Sequence, residues 1–249
     1  MDSTAHRLNI VEAGNCSPAE LPVTSGADGL ILSQTIKIVV LGAACAGKSS
    51  VIKQFLGNGQ DFSEQYDPTD RRCNYFKTVL CFDTNLHTIT HWALKIVDVP
   101  VTEIPIASLY SWSNFLQYDV GHAAVYVLVF DVSAQMHSWD FVRSIRDQLI
   151  SHPNTCQALI FVVANKVDLP YQLSRADLMH TVQKIWKHGY VECSAKKNYH
   201  VLGLFQAIIE AVQIKLQSQA ETRLKQDGLR FGFSWRRFRL NKPHKCSIQ

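Results

Sequence analysis

Residues 42 to 49 of this 249-residue chain read Gly-Ala-Ala-Cys-Ala-Gly-Lys-Ser. That is the GxxxxGK[ST] spacing of a phosphate-binding loop. The backbone N–H groups of Gly42, Ala43, Ala44, Cys45, Ala46 and Gly47 can turn inward as a concave anion nest. Lys48 would bring a full charge to the β- and γ-phosphates of a nucleotide. The Ser49 hydroxyl is suited to ligating Mg²⁺, and Ser50 continues the phosphate contacts. The motif needs a strand before it and a helix after it. Thr35 to Leu41 is apolar and β-branched, as a buried strand requires. Ser49 to Leu56 reads as the start of a helix, whose N-terminus adds partial positive charge.

A second group lies far along the chain. Asn165-Lys166-Val167-Asp168 follows an apolar run ending at Ala164. The Asp168 carboxylate can accept two hydrogen bonds, from guanine N1–H and the 2-amino group. Adenine offers a lone pair there instead, and a polar site of this kind rejects such a mismatch by roughly 10⁴-fold or more. Asn165 would tie the loop to neighbouring backbone, and the Lys166 stem would cover one face of the base. A surface turn with a solvated lysine is the alternative. Glu192-Cys193-Ser194-Ala195-Lys196 follows a later short strand. Ser194 and the Ala195 N–H could reach the guanine O6, with Lys196 supporting the loop. An ordinary strand-to-helix connection is also open there.

These groups need a frame. Asn74 to Phe82 and Thr88 to Val97 read as a hairpin turning at Asp83-Thr84-Asn85. Ala123 to Asp131 and Ala158 to Ala164 are continuous apolar runs, as in central parallel strands covered on both faces. Ser138 to Ile150, Arg175 to Lys187 and Val201 to Lys215 have helical spacing. In the last, Val201, Leu204, Phe205, Ile208 and Val212 share one stripe. Tyr190 to Cys193 reads as a final strand. Alternation of this kind predicts an α/β fold, a three-layer P-loop NTPase with a mostly parallel six-stranded sheet. Residues 1–33 are rich in Ser, Ala, Gly and Pro and read as a disordered arm. The domain spans 34–217, and 218–249 form a basic tail.

Hydrophobic residues make up 47% of the chain and charged residues 18%, enough to bury a sizeable core. No apolar run reaches the ~18 residues that cross a bilayer. The seven cysteines have no metal-ligand spacing and fit free thiols in a reducing compartment. Cys45 lies in the loop near a helix N-terminus, and redox sensing and simple loop filling are both open to it. The net charge of +4 is uneven, because the last 22 residues hold six basic side chains and no acid.

Taken together, the phosphate loop, the Asn-Lys-x-Asp run and Ser194-Ala195-Lys196 make residues 35 to 217 resemble a Ras-type small GTPase. Tyr66-Asp67-Pro68-Thr69 matches the first switch of Ras. Ile185 to His200, with Asp98-Val99-Pro100, is closer still to the subgroup called Ras-like protein family member 10. The resemblance implies a guanine-nucleotide switch using GTP/GDP and Mg²⁺. It implies that Thr69 is the second Mg²⁺ ligand and touches the γ-phosphate. Asp98 would hold the ion through water. Phe62 would stack on the guanine edge, or else pack on the domain.

The resemblance breaks at the second switch. Relatives carry Asp-Thr-Ala-Gly-Gln there, and this chain carries Asp98, Val99, Pro100, Val101 and Thr102. Thr102 stands where the glutamine orients the attacking water, and it is shorter. Pro100 restricts the backbone before it. Ala44 replaces a glycine and would crowd the catalytic site. Of the catalytic set Lys48, Thr69 and Thr102, the last is thus an altered member. Slow hydrolysis is expected. The alternative is an adaptor that holds nucleotide without turning it over. A P-loop kinase of small molecules would need an arginine lid that no segment supplies. Ile104, Pro105, Ile106, Leu109, Trp112, Phe115 and Tyr118 follow, as core or as a partner surface.

The chain ends Cys246-Ser247-Ile248-Gln249, which fits C-a-a-X with a farnesyl group on Cys246. One lipid binds marginally, and Arg230, Arg236, Arg237, Arg239, Lys242 and Lys245 would add attraction to an anionic inner leaflet. Phe231, Trp235 and Phe238 could insert at headgroup level. The expected location is the cytoplasmic face of the plasma membrane. A nuclear-localisation patch is the other reading of the tail, and no nucleic-acid partner is expected.

Overall fold

In the computed structural model the apolar runs become β2 (Gln34–Gly42), β3 (Cys73–Asp83), β4 (Thr88–Asp98), β5 (Val125–Asp131), β6 (Leu159–Asn165) and β7 (Gly189–Glu192), all in one sheet. The structure describes residues 9–12, 34–57, 68–83, 88–104, 112, 115–116, 120–134 and 136–230. A further strand, β1 (Asn9–Glu12), lies inside the stretch expected to be an unstructured arm. It pairs antiparallel with β3, Asn9 opposite Phe82 and Glu12 opposite Val79. Four residues are too few to register as a periodic pattern, and that is why the expected six strands become seven. The order is β1-β3-β4-β2-β5-β6-β7. β4, β2, β5, β6 and β7 run parallel, and β3 runs antiparallel to its neighbours β1 and β4.

Helices cover both faces. α1 (Lys48–Leu56) and the first part of α4 (Val201–Arg230) pack on one face through Val51, Ile52, Phe55, Val201, Leu204, Phe205, Ile208 and Val212. The Phe55 and Phe205 rings stack at 3.6 Å. α2 (Met136–Ser151) and α3 (Arg175–His180) lie on the other face with Trp139, Val142, Ile145 and Leu178. The expected helix Arg175 to Lys187 is split, because a π-helical turn occupies Thr181–Ile185. α4 runs beyond the expected Lys215 to Arg230, and its residues from Gln213 on belong to a second unit. No helix among the described residues is long and apolar enough to cross a membrane. The parallel strands leave β2, β4, β5 and β6 ending at one edge of the sheet, at Gly42, Asp98, Asp131 and Asn165. All the groups discussed below stand at or near that edge, where doubly wound sheets bind ligands.

Candidate nucleotide site

The loop after β2 depends on two glycines for different reasons. A Cβ on Gly42 would come within 2.2 Å of the Val129 carbonyl oxygen, so the loop crosses β5 only without a side chain. Gly47, the N-cap of α1, has φ +86° and ψ 26°, the left-handed region. A Cβ there would sit 2.3 Å from Asn165 Nδ2. Cys45 is also left-handed, at φ 59°, and is exposed together with Ala44. Lys48 is buried, and its Nζ donates to the Gly42 and Ala43 carbonyls at 3.0 Å each. The amine therefore bridges the first turn of the loop. Burial lowers its pKa, against the opposing pull of Asp98 and Cys45.

Three of the expected metal-binding groups meet. Ser49 Oγ donates to Asp98 Oδ2 at 2.5 Å and lies 2.7 Å from Thr69 Oγ1. Asp98 is fully buried. Burial raises its pKa, opposed by the Ser49 hydrogen bond and by Lys48 and Lys53. Its Oδ1 has no hydrogen-bond partner among the described residues. Two hydroxyls and one carboxylate with an unsatisfied buried oxygen are a hard-oxygen donor set. They fit a hydrated Mg²⁺, which takes few protein ligands and keeps several waters. Among the described residues no group of three His, Cys, Asp or Glu offers a softer metal a site.

The base-reading residues also converge. Asn165 ends β6 and is buried. Its Nδ2 donates to the Ala46 carbonyl at 2.9 Å, and its Oδ1 accepts from the Ala195 N–H at 3.1 Å. One amide thus joins the phosphate loop to the loop after β7. Ser194 Oγ donates to Asp168 Oδ1 at 2.5 Å and accepts from the Lys197 N–H at 3.1 Å. Ser194 and the Ala195 N–H are thus joined to Asp168 and Asn165, which ties the loop after β7 to the base-reading residues. Lys166, left-handed at φ 65°, has its Nζ 2.6 Å from Asp131 Oδ2. Burial pushes the Asp131 carboxyl up, but the hydrogen bonds from Lys166 and Ser133 outweigh it and hold the pKa below the ordinary value. Lys196 is exposed on the loop.

The segment after β4 is firmly seated. Val99 and Pro100 are buried, Val101–Glu103 make a 3₁₀ turn, and Ile104 returns to the core. Thr102 is exposed on that turn. From the aromatic stripe, Ile104, Trp112 and Phe115 are core residues, while Pro105, Ile106, Leu109 and Tyr118 lie outside the described residues. Phe62, Tyr66, Asp67, Cys246 and the tail from Phe231 lie outside them too. Two site residues were missed from the sequence. Gln54 is buried on the apolar face of α1, and its Nε2 donates to the Ala195 carbonyl at 2.8 Å. A glutamine between Ile52 and Phe55 on a core-facing stripe was the available signal. Asp131 was the other, an acid closing an otherwise apolar strand directly beside Asn165 in the sheet.

A parallel sheet edge holding a glycine loop, a hydroxyl–carboxylate corner and a stitched pair of base loops defines a P-loop nucleotide-binding protein. A family model described as Ras family matches residues 37–214, and the chain belongs to that family of small GTPases. Among individual relatives, Ras-like protein family member 10B of Homo sapiens is 35% identical over 183 residues, 72% of this chain and 86% of that protein. Ras-like protein family member 10A of Mus musculus is 31% identical over 219 residues, 86% of this chain and 98% of that protein. GTP-binding protein rhb1 of Schizosaccharomyces pombe is 30% identical over 179 residues, 71% of this chain and 87% of that protein.

Proposed function

We propose that the protein binds GTP and GDP with Mg²⁺ and acts as a membrane-associated signalling switch with slow intrinsic hydrolysis. The observation that carries this reading is the double engagement of Asn165, on Ala46 of the phosphate loop and Ala195 of the base loop. Phosphate and base are then held by one rigid unit. In it, Gly42 to Ser50 cradle the phosphates and Lys48 offsets their charge. Asp168, oriented by Ser194, selects guanine. Ser49, Thr69 and, through water, Asp98 would hold Mg²⁺, which would supply charge neutralisation to the phosphates.

Hydrolysis needs a water placed in line with the γ-phosphate. Thr102 has one short hydroxyl on an exposed turn, so this chain lacks the reach of a glutamine. The unassisted rate of Ras is about 4 × 10⁻⁴ s⁻¹, and a rate at or below that order is expected here. Calorimetry with GDP, GTP and ADP on the intact chain tests the binding. Uptake of neither guanine nucleotide would end the reading. Single-turnover hydrolysis tests the chemistry, and a rate far above that of Ras would mean another group replaces the glutamine.

A second reading, a nucleotide-holding adaptor without turnover, is favoured by the buried Val99, Pro100 and Ile104 that pin the turn. Membrane attachment rests on the sequence of the tail alone. Cys246→Ser should release the protein from the membrane fraction, and unchanged fractionation would remove the lipid from the proposal.

A further inference from the structure

Two segments meet above Ser49. One, residues 68–72, carries Thr69. The other, residues 99–104, follows Asp98. They are joined directly. Arg72 Nε and Nη2 both donate to Glu103 Oε2, at 3.0 and 2.5 Å. The Arg72 side chain is only 18% exposed and that of Glu103 35%. The guanidinium also lies 5.8 Å from the centre of the Phe115 ring, and Trp112 meets that ring edge-on at 5.2 Å. Both aromatics are buried members of the core cluster that also holds Val99 and Ile104. The arginine is therefore held between a carboxylate and a core ring. A guanidinium with two charge-assisted bonds and an aromatic face has a defined geometry that a freely moving surface pair lacks.

The partner segment is equally fixed. The Glu103 N–H donates to the Pro100 carbonyl and the Ile104 N–H to the Val101 carbonyl, both at 3.1 Å. Val99 on one side and Ile104 on the other are anchored in the core. All of these contacts join residues outside the phosphate loop. In GTPases the ordinary switch is the release of two such segments when γ-phosphate contacts are lost. A strap made between residues of the chain itself would oppose that release.

We propose that the Arg72–Glu103 pair straps the Thr69 segment to the Pro100–Glu103 turn in both nucleotide states, so that a protein partner meets the same face with GDP as with GTP. This rests on the guanine-nucleotide reading only where nucleotide state is compared, and it favours the adaptor over the switch. The experiment is hydrogen–deuterium exchange on the full chain loaded with GDP or a non-hydrolysable GTP analogue, read on peptides covering 68–76 and 99–104. The expected result is less than about a fivefold difference in exchange between the two states, the equivalent of ~1 kcal/mol. Arg72→Met and the isosteric Glu103→Gln should each raise exchange of both peptides more than about fivefold in the GDP state. A wild-type difference above that threshold, or variants that exchange like wild type, would overturn the strap. Bound nucleotide is quantified in the same samples. If the chain carries none, the guanine reading fails by itself, and the ratio of variant to wild-type exchange still decides the strap.

Discussion

Gly47→Ala tests whether the phosphate loop and the base loops act as one unit. Two costs follow from the geometry. The left-handed φ of +86° penalises any Cβ by about 1–2 kcal/mol. The same Cβ would lie 2.3 Å from Asn165 Nδ2, a distance no relaxed contact tolerates, so the amide must move. If it moves, the Ala46 carbonyl loses its 2.9 Å partner and the Ala195 N–H loses its 3.1 Å partner. Each buried group left unsatisfied costs about 1–3 kcal/mol. Allowing for partial relaxation, the total is about 3–5 kcal/mol, divided between folding and nucleotide affinity. The assay is calorimetric or fluorescent titration with GDP and ADP, with a thermal melt beside it. With an even division, GDP affinity should fall by about 10–10²-fold, and the ratio of GDP to ADP affinity should fall with it. Asn165→Ala should reproduce the loss of base selectivity, and the double variant should cost much less than the sum. If Gly47→Ala weakens GDP and ADP equally while Asn165→Ala costs an independent amount, the amide does not couple the two loops.

Asp98→Asn should abolish most of the acceleration of GDP release by EDTA, because the carboxylate with the unsatisfied Oδ1 is the group expected to hold hydrated Mg²⁺. Since burial raises the Asp98 pKa, wild-type Mg²⁺ dependence should weaken on acidification at a higher pH than an ordinary aspartate would give. Ser194→Ala removes the 2.5 Å bond that orients Asp168 and should cut guanine-over-adenine preference about 5–30-fold, read by competition titration. His188 is a stability prediction. Burial and then Arg146, whose Nε lies 3.3 Å from His188 Nε2, lower its pKa to about 4 from 6.5. Above the unfolded value both states are neutral and nothing is lost. As pH falls from there toward the folded value, the unfolded chain binds a proton that the folded one refuses, so stability falls. The full shift would be worth about 3 kcal/mol, and solvent screening at this partly exposed ring reduces that to about 1–2 kcal/mol. Denaturant titrations between these pH values should show the loss in wild type and a flatter profile in His188→Asn.

The backbone geometry at the ends of the parallel strands was legible because each motif requires a particular backbone, and residues with that requirement are rare. Gly42 and Gly47 announce close approach and positive φ. The apolar runs before them announce the strands that deliver them. What the spacing could not express is the traffic between motifs 119 and 141 positions apart, the Asn165–Ala46 and Gln54–Ala195 bonds. Each motif looked self-sufficient, so the bonds that tie Ser194 to Asp168 and the Ala195 N–H to Asn165 were not foreseen. β1 was hidden for a related reason. Its four residues pair with Val79–Phe82 and gain order from that edge, which no local pattern encodes. The second switch shows the same limit from the other side. Pro100 in the sequence suggested stiffness, but a proline restricts only its own φ and the residue before it. The seating of residues 99–104 comes from Val99 and Ile104 in the core, and from an arginine 31 positions upstream that nothing in the local sequence joins to Glu103. On the proposed reading, a threonine at 102 and the pair at 103 would act in one direction. The first would slow departure from a GTP state, and the second would reduce what that departure changes.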